Sequence, residues 1–301
     1  MEINQTKIVD TYAEAFSMRY CRLIITAADD YWLAVATNAF TGYGTSVIGC
    51  DAEVGEEEKV DASVTPDGRP GCSVMAFGFD ADSLAKAVVN RSGQCLMTCP
   101  TTAVYNGLQS DEKVDLGNKL RFFGDGYQKS KSIGPRRLWR IPVMDGEFVI
   151  EDTVGVSKGV AGGNFLILSS DQPSGLKAAR LAAEATATVP GIITPFPGGV
   201  VRSGSKVGSR YKGMVASTSH AYCPTLRGRV ESELDESVNC VYEIVIDGVD
   251  FEAVERGIQL GIQAAATVEG VGAISAGNYG GNLGKHKFYL HELLKKLDNQ
   301  T

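Results

Sequence analysis

The sequence predicts an α+β fold of two ferredoxin-like α/β sandwich lobes, each with helices on one face of an antiparallel sheet. Two observations predict it. The first hundred residues alternate strand-like and helix-like stretches as β-α-β, loop, β-α-β. The second half contains a weak internal repeat. Phe165-Leu-Ile-Leu, a helix from about Gly175 to Thr188, the run Ala187-Thr-Val-Pro-Gly191 and Ile192-Ile-Thr end at Gly198-Gly199. Val241-Tyr-Glu-Ile-Val-Ile, a helix from about Phe251 to Ala266, the run Ala266-Thr-Val-Glu-Gly270 and Val271–Ser275 end in the same way at Gly280-Gly281. Both glycine pairs then fall at corresponding strand ends, where a cleft forms naturally. The expected division is an N-terminal lobe over 1–145, with an inserted hairpin region, and a C-terminal lobe over 146–301.

In chain order, Tyr20–Thr26 is a β-branched run and reads as a strand. Trp32–Ala39 has helical apolar spacing, and Thr45–Ile48 returns to strand. Gly55–Gly71 is acidic and then turn-rich (EEEK, TPDGRPG), which reads as a surface loop. Cys72–Phe79 is a strand, Asp82–Asn90 a helix with an acidic start, and Gln94–Thr98 a further strand. Phe122–Tyr127 (FFGDGY) is a turn, and Leu138–Val143 with Gly146–Ile150 form a hairpin around Met144-Asp145-Gly146.

Composition narrows the function. The chain has 301 residues, 44% hydrophobic and 22% charged, so it buries a full core. Lys and Arg number 29 against 36 Asp and Glu, a net charge of -7, which argues against nucleic acid as a partner. No apolar run reaches membrane-spanning length, and the polar start Met1–Gln5 lacks a signal peptide's apolar core. The seven cysteines are odd in number and form no CxxC pair, as expected of reduced, mostly buried thiols in a cytoplasmic protein. Cys50 and Cys95 have no histidine near in sequence to activate them as nucleophiles. His286 and His291, five apart in an apparent strand, point to opposite faces, so no metal is expected.

The stretch Pro195–Tyr211 (PFPGGVVRSGSKVGSRY) draws together glycines and the cations Arg202, Lys206 and Arg210, with Lys212 one step on. It is not a nucleotide loop, because Gly204-Ser205-Lys206 places the hydroxyl before the lysine. It reads either as a rigid cationic rim for an anionic small molecule or as a turn-rich connection. Strand alternation puts Glu243 on one face with Val241 and Val245, where desolvation suits a carboxyl to carrying a proton. The plain alternative is a solvated glutamate on an outer face. Asn278, Tyr279 and Lys285 lie in a second glycine loop, AGNYGGNLGK, suited to polarising a carbonyl or merely to turning. Phe122, Phe123 and Tyr127 suit stacking on a flat ring or closing a core. The hydroxyls that end Gln94–Thr102 suit capping or ligand binding.

The runs TPDGRPG (65–71), GQCLMTCPTTAV (93–104), FFGDGYQ (122–128), PVMDGEF (142–148), AGGNF (161–165), TPFPGGVVRSGSKVGS (194–209), VYEIVIDG (241–248) and ISAGNYGGNLGK (274–285) resemble formylmethanofuran:tetrahydromethanopterin formyltransferases along essentially the whole chain. PVMDGEF, GGVVRSGSKVGS and STSHAYCPTL (217–226) look closer to the methylotrophic bacterial branch. The resemblance implies two ferredoxin-like lobes, a homotetramer, and formyl transfer between a furan-carrier amine and a ring nitrogen of a reduced pterin. It implies no bound cofactor or metal, with both carriers as substrates. The transfer would be direct, through a tetrahedral intermediate and without a protein nucleophile. Glu243 matches the family's VYEIVI motif and becomes the implied acid/base. Arg202, Ser205, Lys206 and Arg210 would serve a glutamyl-rich carrier, and Phe122 and Phe123 a pterin ring. Asn282 departs from the lysine usual in that glycine loop, which puts the charge of the carrier tail in doubt. Bacterial relatives work with hydrolase subunits, so the alternative is a non-catalytic scaffold or carrier-binding subunit of such a complex.

Overall fold

In the computed structural model, which describes residues 1–298, the chain forms two compact units: Met18–Gly159, and Met1–Ser17 together with the chain from Val160 on. The sequence reading divides the chain at 145/146 instead. That position is the turn of a hairpin in which Val143 pairs with Gly146.

The Met18–Gly159 unit runs β1 (Tyr12–Thr26, which starts in the other unit), α1 (Asp30–Thr41), β2 (Glu53–Val60), β3 (Gly71–Gly78), α2 (Ala81–Arg91) and β4 (Ala103–Asn106). β1 lies antiparallel between β3 and β4, with Leu23 opposite Val74 and Asn106, and β2 closes the edge beyond β3. This is the ferredoxin-like order. Leu33, Ala36 and Phe40 of α1 and Leu84, Ala87 and Val88 of α2 are buried with Leu23, Ile25 and Val74. Both helices start at an aspartate: Asp29 accepts from Trp32 N at 3.0 Å and Asp80 from Ser83 N at 2.8 Å. The hairpin β5 (Arg136–Val143) and β6 (Gly146–Glu151) extends the sheet, with β6 parallel to β4.

Three local expectations fail here. Thr45–Ile48 is a turn, and the strand comes later, at β2, overlapping the start of the stretch read as loop. β2 is an edge strand, so Glu56, Glu58 and Lys59 face water without cost. Glu57 is held by Arg22 Nε and Nη2 at 2.6 Å each. Gln94–Thr98 is not a strand either. α2 runs into a π turn over Ser92–Leu96, closed by Met97 N donating to Ser92 O at 2.9 Å. The Thr98 and Thr102 hydroxyls donate to Gln94 O at 2.7 Å and Leu96 O at 2.6 Å, fastening that turn.

The second unit repeats the plan with β7 (Thr153–Ser169, which starts in the first unit), α3 (Gln172–Thr186), Ile192–Ile193, β8 (Cys240–Gly248), α4 (Phe251–Ala265) and β9 (Val271–Ser275). β7 lies antiparallel between β9 and β8, and Ile192–Ile193 pairs with the outer edge of β8. The internal repeat is therefore the two halves of one sandwich. Asp171 and Asp250 cap its helices, accepting from Ser174 N at 2.9 Å and Ala253 N at 2.8 Å. The chain then passes through β10 (His286–Tyr289) into α5 (Leu290–Asp298), so His286 and His291 do not share a strand. His291 Nε2 meets Ile8 O at 2.8 Å, whereas His286 Nε2 meets Ser17 Oγ at 3.0 Å. Among the described residues no helix is long and apolar enough to cross a membrane.

Helices α3 and α4 meet through small residues. Ala178, Ala179 and Ala182 are buried, and the Thr186 hydroxyl donates to Gly257 O at 3.2 Å. A methyl group at Gly261 would come within 2.6 Å of the Phe165 ring and of Thr186 Oγ1. Gly261→Ala is expected to lose about 1–2 kcal/mol, because overpacking outweighs the ~1 kcal/mol gain in helix propensity. Urea unfolding reads this as a lower midpoint at unchanged slope. A variant as stable as the parent would refute the close approach.

Candidate active site

Alternation along β8 sends Tyr242, Ile244 and Ile246 into the core under the helices and Val241 and Glu243 to the opposite face. Leu166 of β7 stands opposite both Glu243 and Ser275. Val201 exchanges backbone hydrogen bonds of 2.8 and 2.9 Å with Glu243. Paired residues share a face, so Ser275, Leu166, Glu243 and Val201 form one row across the sheet. The helices leave this face bare, and the segment 194–239 covers it. Leu234 and Val238, with half-buried Tyr222, pack on Leu166, Leu168 and Ala273. What remains open above the row is a cavity of about 410 Å³ with Glu243, Leu166 and Ser275 in its lining.

The covering segment turns sharply because Gly198 and Gly199 take φ of +63° and +75°. A methyl group at Gly199 would stand 2.9 Å from Ala183 Cβ and Thr194 Oγ1, so only glycine fits. That turn brings Val201 to the edge of β8 and puts Arg202, Ser205 and Lys206 on the cavity wall. Lys206–Val207 pairs with Ala216–Ser217, which fixes the loop's outer arm. Across the cavity, Asn278 and Tyr279 come from the loop after β9. Asn278 is engaged within the wall: its Nδ2 donates to Thr11 Oγ1 at 3.2 Å and its Oδ1 accepts from Gly280 N at 3.2 Å.

The electrostatics are asymmetric. Glu243 is partly buried, and burial pushes its carboxyl up to about 7. No described donor reaches that carboxylate, and no described acid pairs with Arg202 or Lys206. Two exposed carboxylates, Asp10 and Glu233, share the lining with these cations. The half-buried Tyr222 phenol, pushed up by burial, hydrogen-bonds the Ser275 side chain. The cavity therefore joins a carboxyl poised to change protonation near neutrality to a rim of unpaired positive charge. That combination suits proton transfer to an anionic substrate.

Six of the residues singled out from the sequence meet in this cavity: Glu243, Arg202, Ser205, Lys206, Asn278 and Tyr279. Arg210 lines an adjoining cavity of about 260 Å³, which shares Lys206. Phe122 and Phe123 belong to the Met18–Gly159 unit, 66% and 67% exposed, on a short 3₁₀ turn with the Arg121 guanidinium 4.5 Å above the Phe122 ring. They are not in the lining of this cavity. Asn282 is exposed on the same loop as Asn278 and also lies outside the lining. Only Cys21 and Cys72 are buried, and the other five thiols are partly so. Burial raises the Cys95 thiol, the wrong direction for a nucleophile. Among the described residues no three His, Cys, Asp or Glu cluster as a metal site requires. Sequence reasoning missed Leu166, Ser275 and Tyr222, whose places depend on cross-strand register and on the irregular covering segment.

The comparisons with known proteins agree over the whole length. The family described as formylmethanofuran-tetrahydromethanopterin formyltransferase matches residues 1–143, and a model of its proximal lobe matches 146–293. The formylmethanofuran–tetrahydromethanopterin formyltransferase of Methylococcus capsulatus is 50% identical over 297 residues, covering 98% of this chain and 100% of the relative. That of Methanocaldococcus jannaschii is 52% identical over 301 residues, with the same coverage of 98% and 100%. The solved formylmethanofuran:tetrahydromethanopterin formyltransferase of Methanosarcina barkeri superposes with a TM-score of 0.92 at 47% identity, over 97% of this chain and 100% of that one. A chain of the formyltransferase/hydrolase complex from Methylorubrum extorquens, solved with methylofuran, gives a TM-score of 0.94 at 45% identity, over 98% of each.

Proposed function

Because the chain belongs to the formylmethanofuran–tetrahydromethanopterin formyltransferase family, and so moves a formyl group between a methanofuran-type amine carrier and tetrahydromethanopterin in one-carbon metabolism, we propose that the cavity over Glu243 is where the transfer occurs. One observation carries this reading: an unpaired, desolvated carboxyl sits on the floor of a cavity whose rim bears unpaired cations. The acceptor nitrogen attacks the formyl carbon, a C–N bond forms, and the carbonyl electrons move to oxygen. As the tetrahedral intermediate collapses, the donor C–N bond breaks and the leaving amine takes a proton. Glu243 supplies that proton and, in the reverse direction, removes it, while the proton shed by the attacking nitrogen passes to water, with which Glu243 re-equilibrates between turnovers. The transfer is direct, in a ternary complex, and no protein nucleophile enters.

Arg202 and Lys206 would hold an anionic carrier tail, with Ser205, Asn278 and Tyr279 shaping the wall and Arg210 extending the cationic rim. Phe122 and Phe123 remain a proposal for stacking on the pterin ring. The carriers are substrates, and no bound cofactor or metal is part of the proposal. The relative solved as a formyltransferase/hydrolase complex supports hydrolase subunits as partners of this chain too, and a homotetramer belongs to the same reading. Seven free thiols accord with a cytoplasmic setting.

Steady-state formyl transfer by the purified chain tests the site. The double variant Arg202→Ala/Lys206→Ala is expected to raise KM for the anionic carrier about 10–100-fold with kcat little changed, since two charge-assisted contacts of ~1 kcal/mol or more each are lost. Added salt weakens the parent in the same direction and the variant less. Equal KM and equal salt dependence would remove the cations from the site.

A further inference from the structure

We propose that Glu14 is a positioning residue for formyl transfer: its carboxylate holds the loop 277–284 in the shape that presents Asn278 and Tyr279 to the cavity. The inference rests on the reading of that cavity as the transfer site.

Glu14, in the run Tyr12-Ala-Glu-Ala-Phe16 on β1, is fully buried, 0% exposed, and no described cation pairs with it. Its partners are backbone N–H groups. Oε1 accepts from Tyr279 at 2.9 Å and from Gly281, and Oε2 accepts from Leu283 at 3.1 Å and Gly284 at 2.7 Å. Four donors fill the acceptor positions of one carboxylate. Burial alone would push this carboxyl up, but the four N–H groups outweigh it and hold the group below the ordinary carboxylate range. It therefore stays ionised inside the fold.

The loop turns these N–H groups inward through Gly280 and Gly281, whose φ values are +72° and +76°. Its first residue is gripped separately by Asn164 of β7. Asn164 Oδ1 accepts from Gly277 N at 2.6 Å, and Nδ2 donates to Gly277 O at 3.2 Å. Asn278 lies between the two grips, and Tyr279 begins the second. Leu283 is 49% exposed, and beside the Tyr279 ring, 6.1 Å from that of Phe16, hydrogen bonds to buried polar groups set the loop's shape. A buried carboxylate is a costly way to fill space, and this one spends all its capacity on a single loop that walls the active site.

Glu14→Gln keeps the size of the side chain and replaces one acceptor oxygen by an amide that donates. The measurements are steady-state formyl transfer and amide hydrogen exchange by the full-length protein. Expected are exchange at Tyr279, Gly281, Leu283 and Gly284 accelerated about tenfold or more, with Ile244 and Ile246 unchanged, and a carrier KM raised about tenfold with kcat held within about twofold. Faster loop exchange with unchanged kinetic constants overturns the inference, because the order of the loop would then not serve binding. Should Glu14→Gln not fold, Gly281→Ala decides: it keeps Glu14 and displaces the loop, since its new methyl group meets Lys287 Nζ at 2.7 Å and Tyr12 Oη at 2.9 Å. A raised KM there supports the inference and an unchanged one overturns it. A parent chain that transfers no formyl group overturns the site reading itself, whereas an active parent with an indifferent variant overturns this inference alone.

Discussion

Glu243→Gln is expected to fold normally and to lose about 10³-fold in kcat for formyl transfer, the middle of the range for a positioned acid/base and equal to about 4 kcal/mol of barrier. The glutamine keeps the shape of the row Ser275–Leu166–Glu243–Val201, and its backbone bonds to Val201 are untouched. What it lacks is the proton. KM should stay within a few-fold, because the cations proposed to grip the carrier lie on the wall rather than the floor. The pH profile separates this role from a merely structural one. With the carboxyl near 7, transfer out of the furan carrier, which needs the protonated acid, falls about tenfold per unit above that pH. The reverse transfer, which needs the carboxylate, falls below it. Neither limb should appear in the glutamine variant. A variant within a few-fold of the parent, or one keeping the same limb, would remove Glu243 from proton transfer.

The parts of this molecule legible in its sequence are those fixed by short-range pattern. The strand–helix–strand repeat is visible because β7 with α3 and β8 with α4 each carry their own apolar periodicity and aspartate cap. Glu243 and the cationic loop stand out for the same reason, as unusual residues in otherwise ordinary local settings. β2 does not, because an edge strand rich in glutamate resembles a loop until its partner is known. The division between units also leaves no local mark, since β1 and β7 pass through it without interruption. Phe122 and Phe123 are legible only as aromatics beside a turn, and their exposure on a short 3₁₀ turn is not readable from the residues around them. Glu14 is the extreme case. In a run of small apolar residues it reads as an isolated strand glutamate, and its partner Tyr279 is 265 residues away.

Burial that raises the Glu243 carboxyl must also weaken the fold as pH rises. Its carboxyl titrates near an ordinary 4.5 in the unfolded chain and at about 7 in the native state. The native state thus binds this proton more tightly. The stability it contributes is complete below about 4.5, declines between the two values and is gone once pH has risen through about 7. At 1.36 kcal/mol per unit, the loss is about 2–3 kcal/mol after allowance for the partly exposed edge of the carboxyl. Glu14 acts in the opposite sense: its lowered carboxyl adds stability above the ordinary range that is lost only as pH falls, so the two windows do not overlap. Urea unfolding of the parent and of Glu243→Gln at pH 5, 6, 7 and 8 isolates the term. The parent should match or exceed the variant at pH 5 and fall behind it by about 2–3 kcal/mol at pH 8, while contributions common to both proteins cancel. A difference that stays flat across this range would mean that water reaches the carboxyl freely. The pH limbs expected in catalysis would then have to come from another group, because a solvated glutamate has no reason to titrate near neutrality. If the difference follows the expected course, one physical fact, a carboxylate left on a sheet face without a partner, accounts for both a less stable protein and a working proton donor.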